Sequence, residues 1–350
     1  DASEFRWPLK HTIDKSTSFL VSGGAGSIGR ELIFQLLGNG ARNIWVFDNS
    51  KQRLEGFDNS IPQSFTNRIH FLLGDVSSRS DLENAISISR PDCVFHLAAL
   101  KHVDRAESDA NGTFEINVGG TFNILRAAAD SRRFMLMSTD KAVFPAGIMG
   151  ATKRLAELAV MFYAERNPSC EYSIIRSGNV IGTSGSALNK FVYQIENSRE
   201  VTVTHSEMER FFISNAELSS LIICAVLGKR GRRSGLTSYI VDCGTPLRIV
   251  DVVRRIAGHV GKRIVEEDPG EKELVIKLVG VRAGEKLTEQ MHQSSDLDNT
   301  DMEKLKIGWD DGFVSTLRDL PKEFRFLHGS SSLCVDDLVS RFCRLLDVDS

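Results

Sequence analysis

Six short apolar runs between residues 17 and 180 constrain the fold of this chain more than any other feature. They are SFLVSG, NIWVFD, IHFLLGD, CVFHLAA, RFMLMST and YSIIRSGNV. Each is almost continuously apolar, which is typical of parallel strands that are covered on both faces. Amphipathic stretches such as SIGRELIFQLLGN and TFEINVGGTFNILRAAAD separate them. This alternation predicts an α/β fold built on a doubly wound parallel sheet.

The rhythm loosens after Val180, where glycines and serines interrupt the pattern and shorter elements follow. A helix near 215–228 and the strand SYIVDC are expected to return to the main sheet, while LRIVDVVRRIAGHVGK predicts an amphipathic helix in a smaller C-terminal substrate-binding lobe. The predicted division is an N-terminal extension at 1–16, a nucleotide-binding domain at 17–183 plus about 215–243, a lobe at 184–214 plus 244–291, and a C-terminal extension of unclear role at 292–350.

Composition excludes several classes of protein. The net charge of −3 gives no electrostatic basis for binding nucleic acid. The six cysteines contain no C-x-x-C pair, which favours buried free thiols in a reducing compartment and predicts no metal site. No signal peptide is recognisable, and no apolar run approaches the roughly 18 residues of a membrane span. We therefore predict a cytoplasmic location. Because the chain begins at Asp1, it is also compatible with the cytoplasmic portion of a longer membrane-associated protein.

A glycine-rich segment follows the first predicted strand and opens a helix. Its positions are Gly23, Gly24, Ala25, Gly26, Ser27, Ile28 and Gly29. Glycines allow a tight turn and a close approach to a pyrophosphate, which the N-terminus of the helix attracts. Asp48 ends the second strand, where a carboxylate accepts hydrogen bonds from both adenosine ribose hydroxyls and repels a 2′-phosphate. The predicted cofactor is NAD, and Lys51 and Arg53 keep NADP open as the alternative.

Further residues are predicted to line the cofactor groove. Asp75 ends the third strand beside Val76, and it is expected either to contact the adenine amino group or to cap the next helix. Ala98 and Ala99 are small and apolar, which suits the wall of such a groove. Asn117 is unusual in the middle of a helix, and it is expected to hold a water or a backbone kink.

The segment STDKAVFPAGIMGATKRLAE raises a chemical question. Lys153 stands where short-chain dehydrogenases carry the lysine of Tyr-x-x-x-Lys, and Met149 occupies the position of the tyrosine. A thioether has no proton to give. Either the protein is inactive, or other side chains carry out the acid–base chemistry.

Seven segments occur in a fixed order: LGDV, VFHLAALKHV, STDKAVFP, MGATKRLAE, RSGNVIGTSGS, VTVTHSEMERFF and GVRAGEKLTEQ. With them the chain resembles the nucleotide-sugar 4,6-dehydratases of bacterial polysaccharide and glycan biosynthesis, a branch of the extended short-chain dehydrogenase/reductase family, over about residues 17–291. The resemblance implies UDP-N-acetylglucosamine as substrate, tightly held NAD and a UDP-4-keto-6-deoxy sugar as product. One subgroup keeps the tyrosine and inverts C5. Met149 indicates the other, which carries methionine and retains the C5 configuration.

The resemblance also implies roles for the residues before Met149. Thr139, Asp140 and Lys141 match a Thr-Asp-Glu of related glucose dehydratases. Asp140 would protonate the departing C6 hydroxyl if its pKa is raised, and Lys141 would remove the C5 proton if its pKa is lowered, although close pairing opposes both shifts. Thr139, or Ser138, would bond the C4 oxygen, and Lys153 would hold the nicotinamide ribose. The acceptor of the C4 hydroxyl proton stays open between Asp140, through a water, and Lys141.

Six residues are expected at the substrate. The resemblance places Asn179 at the diphosphate, Arg210 and Arg282 over the UDP, and Glu285 at the uridine ribose; Lys101 and His102 either reach the sugar or have a structural role. Two rival functions remain, a C5-inverting dehydratase or epimerase on a related nucleotide sugar, and a non-catalytic NAD-binding regulator. A homodimer or higher homo-oligomer is expected through the helices that contain Asn117 and Lys153, where the apolar positions are Phe122, Leu125, Leu158 and Phe162.

Overall fold

The predicted α/β sheet is the centre of this computed structural model, which describes residues 13–228, 235–293, 297–308 and 335–349. The strands of these residues are β1 (Ser18–Ser22), β2 (Asn43–Asp48), β3 (Ile69–Leu73), β4 (Cys93–His96), β5 (Arg133–Thr139), β6 (Glu171–Ser177), β7 (Asn179–Ile181), β8 (Glu200–Val203), β9 (Glu209–Arg210), β10 (Phe212–Ser214), β11 (Leu236–Val241), β12 (Leu247–Arg248), β13 (Arg263–Val265), β14 (Glu273–Leu278), β15 (Asp298–Asn299) and β16 (Leu305–Gly308).

The helices of the same residues are α1 (Ser27–Gly38), α2 (Lys51–Asp58), α3 (Arg79–Ser89), α4 (Val103–Ser108), α5 (Ala110–Phe114), α6 (Gly120–Ala127), α7 (Ile148–Arg166), α8 (Ala187–Asn197), α9 (Asn215–Leu227), α10 (Ile249–His259) and α11 (Val335–Asp349). A π-helical turn at Glu115–Gly119 joins α5 to α6, and 3-10 turns lie at Thr66–Arg68 and Asp140–Ala142.

The order of strands across the large sheet is β15-β16-β11-β6-β5-β4-β1-β2-β3. Neighbours from β11 to β3 are parallel, while β16 runs antiparallel to both β11 and β15. The chain moves outward from β1 to β3 and then returns to place β4 on the other side of β1. Ligands of such sheets bind at the carboxyl ends of the strands where the order reverses. The crevice between β1 and β4 is therefore where a cofactor is expected.

Alternate residues of each strand pack into two different apolar cores. Leu20 of β1 packs with α3, α6 and α7, whereas Phe19 and Val21 pack with α1, α2 and α9. Because successive side chains of a strand point to opposite faces, helices on both sides of the sheet bury both sets. The doubly wound arrangement predicted from the continuous apolar runs is confirmed.

A smaller lobe has its own sheet and core. Strands β8, β14 and β13 form a parallel three-stranded sheet, and α8 and α10 pack on it through a separate apolar cluster. Two short strand pairs are separate from both sheets: β7 pairs with β10 in parallel, and β9 pairs with β12 in antiparallel orientation. The three strands of the lobe's sheet and its two helices fall in the segments predicted for the lobe, whereas β7 falls in the segment predicted for the nucleotide-binding domain. The domain boundaries themselves stay predictions.

The C-terminal segment of unclear role contributes to the main domain in two ways. Strands β15 and β16 extend the large sheet at one edge. Helix α11 packs against the helices of one face: the rings of Phe342 and Phe122 lie 5.7 Å apart, and the Arg341 guanidinium donates to Asn111 and Glu115 at 2.6 Å each. Residues 1–12 of the predicted N-terminal extension lie outside the described residues.

The four apolar positions suggested for oligomerisation are buried within the chain itself. Phe122, Leu125, Leu158 and Phe162 are at most 3% exposed and share one core with Phe342 of α11. Intramolecular packing accounts for their apolar character, and assembly through these helices stays a prediction. Among the described residues, no helix combines the length and the hydropathy that crossing a bilayer requires.

Candidate active site

The glycine-rich loop joins β1 to α1 and forms one wall of a cavity of about 400 Å³. Gly23 has a φ of +67°, and a Cβ there would lie 2.8 Å from the main chain of Ala98. A Cβ on Gly29 would lie 2.6 Å from Gly24, so its absence lets the helix approach the loop closely. The cavity is lined by predicted cofactor residues, namely Gly23, Gly26, Ser27, Ile28, Gly29, Asp48, Val76, Ala98 and Ala99, together with Lys101 and His102.

Asp48 provides the strongest test of whether a dinucleotide fits this cavity. Its side chain is 3% exposed, and Oδ1 accepts hydrogen bonds from the Arg53 guanidinium at 2.8 Å and from the Ser50 amide at 3.1 Å. Oδ2 is buried without a hydrogen-bond partner. A buried carboxylate oxygen without a donor is costly, and the hydroxyl groups of a ribose are donors of the right kind. The site therefore fits the adenosine end of NAD.

Asp75 is engaged in its own turn rather than in a helix cap. Its Oδ1 accepts from the amide and hydroxyl of Ser77, and its Oδ2 accepts from Asn49 at 3.0 Å. Partial burial acts to raise the pKa of this carboxyl, but the hydrogen bonds from Asn49 and Ser77 outweigh it and lower the pKa. Ser78 caps α3 instead. The contact of Asp75 with adenine stays a prediction.

Asn117 lies inside the π-helical turn, and its amide holds the loop that lines the cavity. Oδ1 accepts from the Leu100 amide at 2.8 Å, and Nδ2 donates to the Leu100 carbonyl at 3.1 Å and to Thr152 of α7 at 3.0 Å. Single π-helical turns inside longer helices are frequent at functional sites. Asn117 thus supports the cavity wall through Leu100 without itself lining the cavity, and its expected role in holding a water or a kink stays a prediction.

Helix α7 places Met149 and Lys153 one turn apart. Met149 is 5% exposed and belongs to the apolar core that contains α7, so an apolar side chain occupies the position of the tyrosine. Lys153 is 6% exposed. Burial lowers the pKa of Lys153 to about 8, although the Glu157 carboxylate opposes this shift. Lys153 thus brings a buried positive charge close to the carboxyl ends of the strands.

A buried ion pair follows β5 directly. The Lys141 Nζ donates to Asp140 Oδ1 at 2.9 Å and to Asn179 Oδ1 at 3.1 Å, and the Thr139 hydroxyl donates to the same Asp140 oxygen at 2.8 Å. The Asp140 side chain is fully buried, and its Oδ2 has no hydrogen-bond partner. The Lys141 side chain is 18% exposed. The predicted acid–base residues are therefore in direct contact.

The pKa of Lys141 moves in the direction opposite to that expected for a base. Burial acts to lower it, but the negative charges of Asp140 and Glu289 outweigh burial and the opposing charge of Arg210, so the pKa is raised above its ordinary value. Close pairing of charged forms favours the ammonium. Lys141 therefore carries a proton, and the condition set for its role as a base, a lowered pKa, is not met by these contacts.

Ser138 faces away from the ion pair. Its hydroxyl donates to the buried Glu157 at 2.6 Å, and the same carboxylate accepts two hydrogen bonds from Arg176 and one from Arg154. Burial acts to raise the pKa of Glu157, but the two arginines and Ser138 lower it to about 2. Side chains alternate along β5, so Ser138 and Thr139 point to opposite faces, and the Thr139 hydroxyl is the one that donates to Asp140. Of the two hydroxyls proposed for the C4 oxygen, only Thr139 contacts the ion pair.

The predicted substrate residues divide into two groups. Asn179 contacts Lys141, and Arg210 is 6% exposed with its guanidinium donating to the carbonyls of Glu209 and Leu287. Within the described residues Arg210 forms no ion pair with a carboxylate, so its charge is available to an anion. The second group is less enclosed: Arg282, Lys101 and His102 are exposed, and the partly exposed Glu285 carboxylate accepts from the Arg282 amide at 3.2 Å.

Glu289 was missed by the sequence reasoning although it lies in the segment GVRAGEKLTEQ. It is 3% exposed, and its Oε1 lies 3.7 Å from the Lys141 Nζ. A second acidic residue in a segment already linked to the substrate was the available signal. Among the described residues, no group of three His, Cys, Asp or Glu side chains is arranged to hold a metal ion.

The model of the family described as "Polysaccharide biosynthesis protein" matches residues 19–308. The chain belongs to this family. It is 31% identical over 332 residues to the capsular polysaccharide biosynthesis protein CapD of Staphylococcus aureus. The matched residues make up 93% of this chain but 51% of CapD. The chain therefore spans about half the length of that relative. It is also 29% identical over 297 residues to the UDP-glucose 4-epimerase of Rickettsia typhi, covering 83% of this chain and 81% of the epimerase.

Solved structures share the fold. Pen from Bacillus thuringiensis superposes with a TM-score of 0.73 at 23% identity and covers 84% of this chain and 87% of Pen. DesIV, the dTDP-glucose 4,6-dehydratase of Streptomyces venezuelae with NAD bound, superposes with a TM-score of 0.63 at 21% identity. The superposition covers 95% of this chain and 97% of DesIV. At these identities the likeness shows the fold alone.

Proposed function

We propose that this chain is an NAD-dependent nucleotide-sugar 4,6-dehydratase that acts in polysaccharide biosynthesis. One observation carries the proposal, the buried pair of Asp140 and Lys141 at the carboxyl end of β5. Epimerisation at C4 needs proton transfer at the C4 oxygen, whereas dehydration must also move a proton at C5 and protonate the C6 hydroxyl. A carboxylate and an amine in contact supply the extra acid–base groups.

The residues of the cavity divide the binding of NAD between them. The glycine-rich loop and the start of α1 would receive the pyrophosphate. Asp48 Oδ2, buried without a donor, would accept from the adenosine ribose, and the buried Lys153 would hold the nicotinamide ribose. When bound, NAD accepts a hydride from C4 and later supplies one to C6, so the net reaction is loss of water. DesIV, which shares this fold, has NAD bound.

The substrate we propose is UDP-N-acetylglucosamine, with retention at C5. Support comes from the order of the seven sequence segments and from the buried Met149, which leaves the position of the tyrosine without a proton donor. The uncompensated guanidinium of Arg210, beside the ion pair, suits a diphosphate because guanidinium groups bind phosphate oxygens with two hydrogen bonds.

The first proton transfer follows from the contacts of Thr139. Its hydroxyl already donates to Asp140, so it can accept from the C4 hydroxyl and pass a proton to the carboxylate. Asp140 then carries the proton that the departing C6 hydroxyl requires. Asp140 thus has two roles. It receives the C4 hydroxyl proton through Thr139 rather than through a water, and it protonates the C6 hydroxyl.

The product of UDP-N-acetylglucosamine tests the function. Incubation of the NAD-loaded protein with this sugar nucleotide in deuterated water is expected to give a C6 methyl resonance and deuterium at C5. A 4-epimer without a methyl group would favour the second candidate, an epimerase, which the relative from Rickettsia typhi supports. NAD binding without any product would leave the non-catalytic regulator.

A further inference from the structure

Glu289 lies in the loop after β14, and its environment is unusual for a carboxylate. The residue is 3% exposed. A buried carboxylate is costly unless cations or donors compensate it. Two ammonium groups compensate its charge: Lys286 Nζ lies 2.8 Å from Oε2, and Lys141 Nζ lies 3.7 Å from Oε1, although Oε2 accepts no hydrogen bond from the described residues. Glu289 is therefore the second carboxylate close to the Lys141 amine. Asp140 is adjacent to Lys141 in the chain, whereas Glu289 comes from a distant segment.

The position of Glu289 is fixed from the other side of the site. Lys286 also donates to the carbonyls of Val143 and Phe144, at 2.9 and 3.3 Å. These two residues follow the 3-10 turn that carries Asp140 and Lys141, and Phe144 has a left-handed φ of +45°. The loop that bears Glu289 is thus tied to the segment that bears the ion pair.

The raised pKa of Lys141 poses a problem for removal of the C5 proton, which needs a neutral amine. Once Asp140 has accepted the C4 proton, its charge no longer stabilises the ammonium. Glu289 is then the carboxylate that remains within 4 Å of Lys141 in the described part of the chain. Transfer of the proton from Lys141 to Glu289 neutralises this ammonium–carboxylate pair, in which the carboxylate is buried and the Lys141 side chain is 18% exposed.

We propose that Glu289 is a positioning residue that takes up the resting proton of Lys141, so that the free amine removes the C5 proton; this assignment rests on the function proposed above. Glu289 acts through Lys141 and not on the sugar. The charges that face Lys141 are those of Asp140, Glu289 and Arg210, and Lys286 lies on the other side of Glu289.

The protons balance over one cycle. The C4 hydroxyl proton goes to Asp140 and leaves with the C6 hydroxyl as water. The resting proton of Lys141 goes to Glu289, the amine takes the C5 proton and then delivers one of its solvent-exchangeable protons to the same face of C5, and Glu289 gives its proton back. Removal and return by one amine on one face account for retention at C5. Bound NAD would supply both the acceptor and the donor of the hydride, so no further oxidant would be needed.

The isosteric variant Glu289→Gln tests this role in the NAD-loaded protein. At about pH 7 we expect the rate of dehydration to fall about 100-fold, within the range of a lost proton transfer. The rate is expected to recover as the pH rises, since Lys141 then loses its proton to water. Oxidation at C4, read as reduced nicotinamide absorbance, is expected to continue while deuterium exchange at C5 slows. A loss that is independent of pH, or equal losses at C4 and C5, would overturn the proposal.

A second measurement does not depend on turnover. The rate of Lys141 acetylation by acetic anhydride, read by peptide mass spectrometry across pH, reports the fraction of neutral amine. Glu289→Gln is expected to move the midpoint of the acetylation curve to lower pH, because it removes a negative charge that stabilises the ammonium. Glu289→Asp should move the midpoint less, and Glu271→Gln, an exposed change in the same lobe, should leave it in place. An unchanged midpoint in Glu289→Gln would reject the proposal. The expected shift in Glu289→Gln, together with a wild-type protein that makes no dehydrated product, would contradict the proposed function alone.

Discussion

The cofactor cavity and the ion-pair site lie at the same edge of the sheet but are assembled differently. The cavity centres on a glycine turn, the start of α1 and one carboxylate at the end of β2, with further lining residues at 97–102 and 183–184. The ion-pair site gathers side chains from segments far apart in the chain, at 139–141, 179, 210 and 286–289. The cofactor cavity is thus organised around one local turn, whereas the acid–base site depends on the packing of the lobe against the sheet.

The largest expected effect separates the two sites. Asp140→Asn and Lys141→Met should each lower kcat for dehydration about 10²- to 10⁴-fold, because each removes a group that transfers protons. Binding of NAD, measured by isothermal titration calorimetry, should stay unchanged. Lys190→Met, an exposed change on α8, is the control. Parallel losses of NAD binding and kcat would show that the two sites are not independent.

A smaller effect is expected from the glycine turn. Gly23→Ala introduces a Cβ 2.8 Å from the main chain of Ala98 in a left-handed conformation. We expect NAD affinity to fall about tenfold or more, equivalent to about 1.4 kcal/mol. Gly40→Ala is a matched control, since Gly40 is also left-handed but has open space around its Cβ position. Equal affinities for the two variants would contradict the role of the close contact.

The framework of the cofactor half should be sensitive to acid. Buried His96 bonds Ser22 and Thr121, and burial, with the nearby Lys153, lowers its pKa from 6.5 to about 3. Between these values the unfolded chain binds a proton that the folded chain does not. The free energy of unfolding should therefore fall by about 1.4 kcal/mol for each pH unit below 6.5.

Urea unfolding at about pH 7 and about pH 5 measures this slope. His96→Gln should flatten it, while the exposed His259→Gln should not. A slope that persists without the imidazole of His96 would assign the acid sensitivity to other groups.

The smallest effect is expected at the position of the missing tyrosine. Met149→Leu conserves volume in the core and removes only the sulfur, so kcat should change by no more than about twofold and stability by less than about 1.5 kcal/mol. Steady-state kinetics and thermal unfolding measure both. A loss as large as that of Lys141→Met would give Met149 a chemical role rather than a packing role.

The sequence predicted the elements whose signal is local. The strand pattern indicated the parallel sheet, and the glycine spacing with Asp48 indicated the cavity that the structure contains. It left Ser138 and Thr139 as equivalent hydroxyls, although the alternation along β5 places them on opposite sides. It did not identify Glu289, because no local pattern shows that a residue of the loop after β14 approaches Lys141.

The amino-acid sequence by itself determined where the strands, the glycine turn and the adjacent Asp140 and Lys141 would lie, since these depend on hydropathy period, backbone freedom and covalent neighbourhood. Only the tertiary structure decided the protonation of Lys141, the orientation of Ser138 and the place of Glu289. A pKa depends on burial and on every charge within a few ångströms, and those distances exist only after distant segments have packed together.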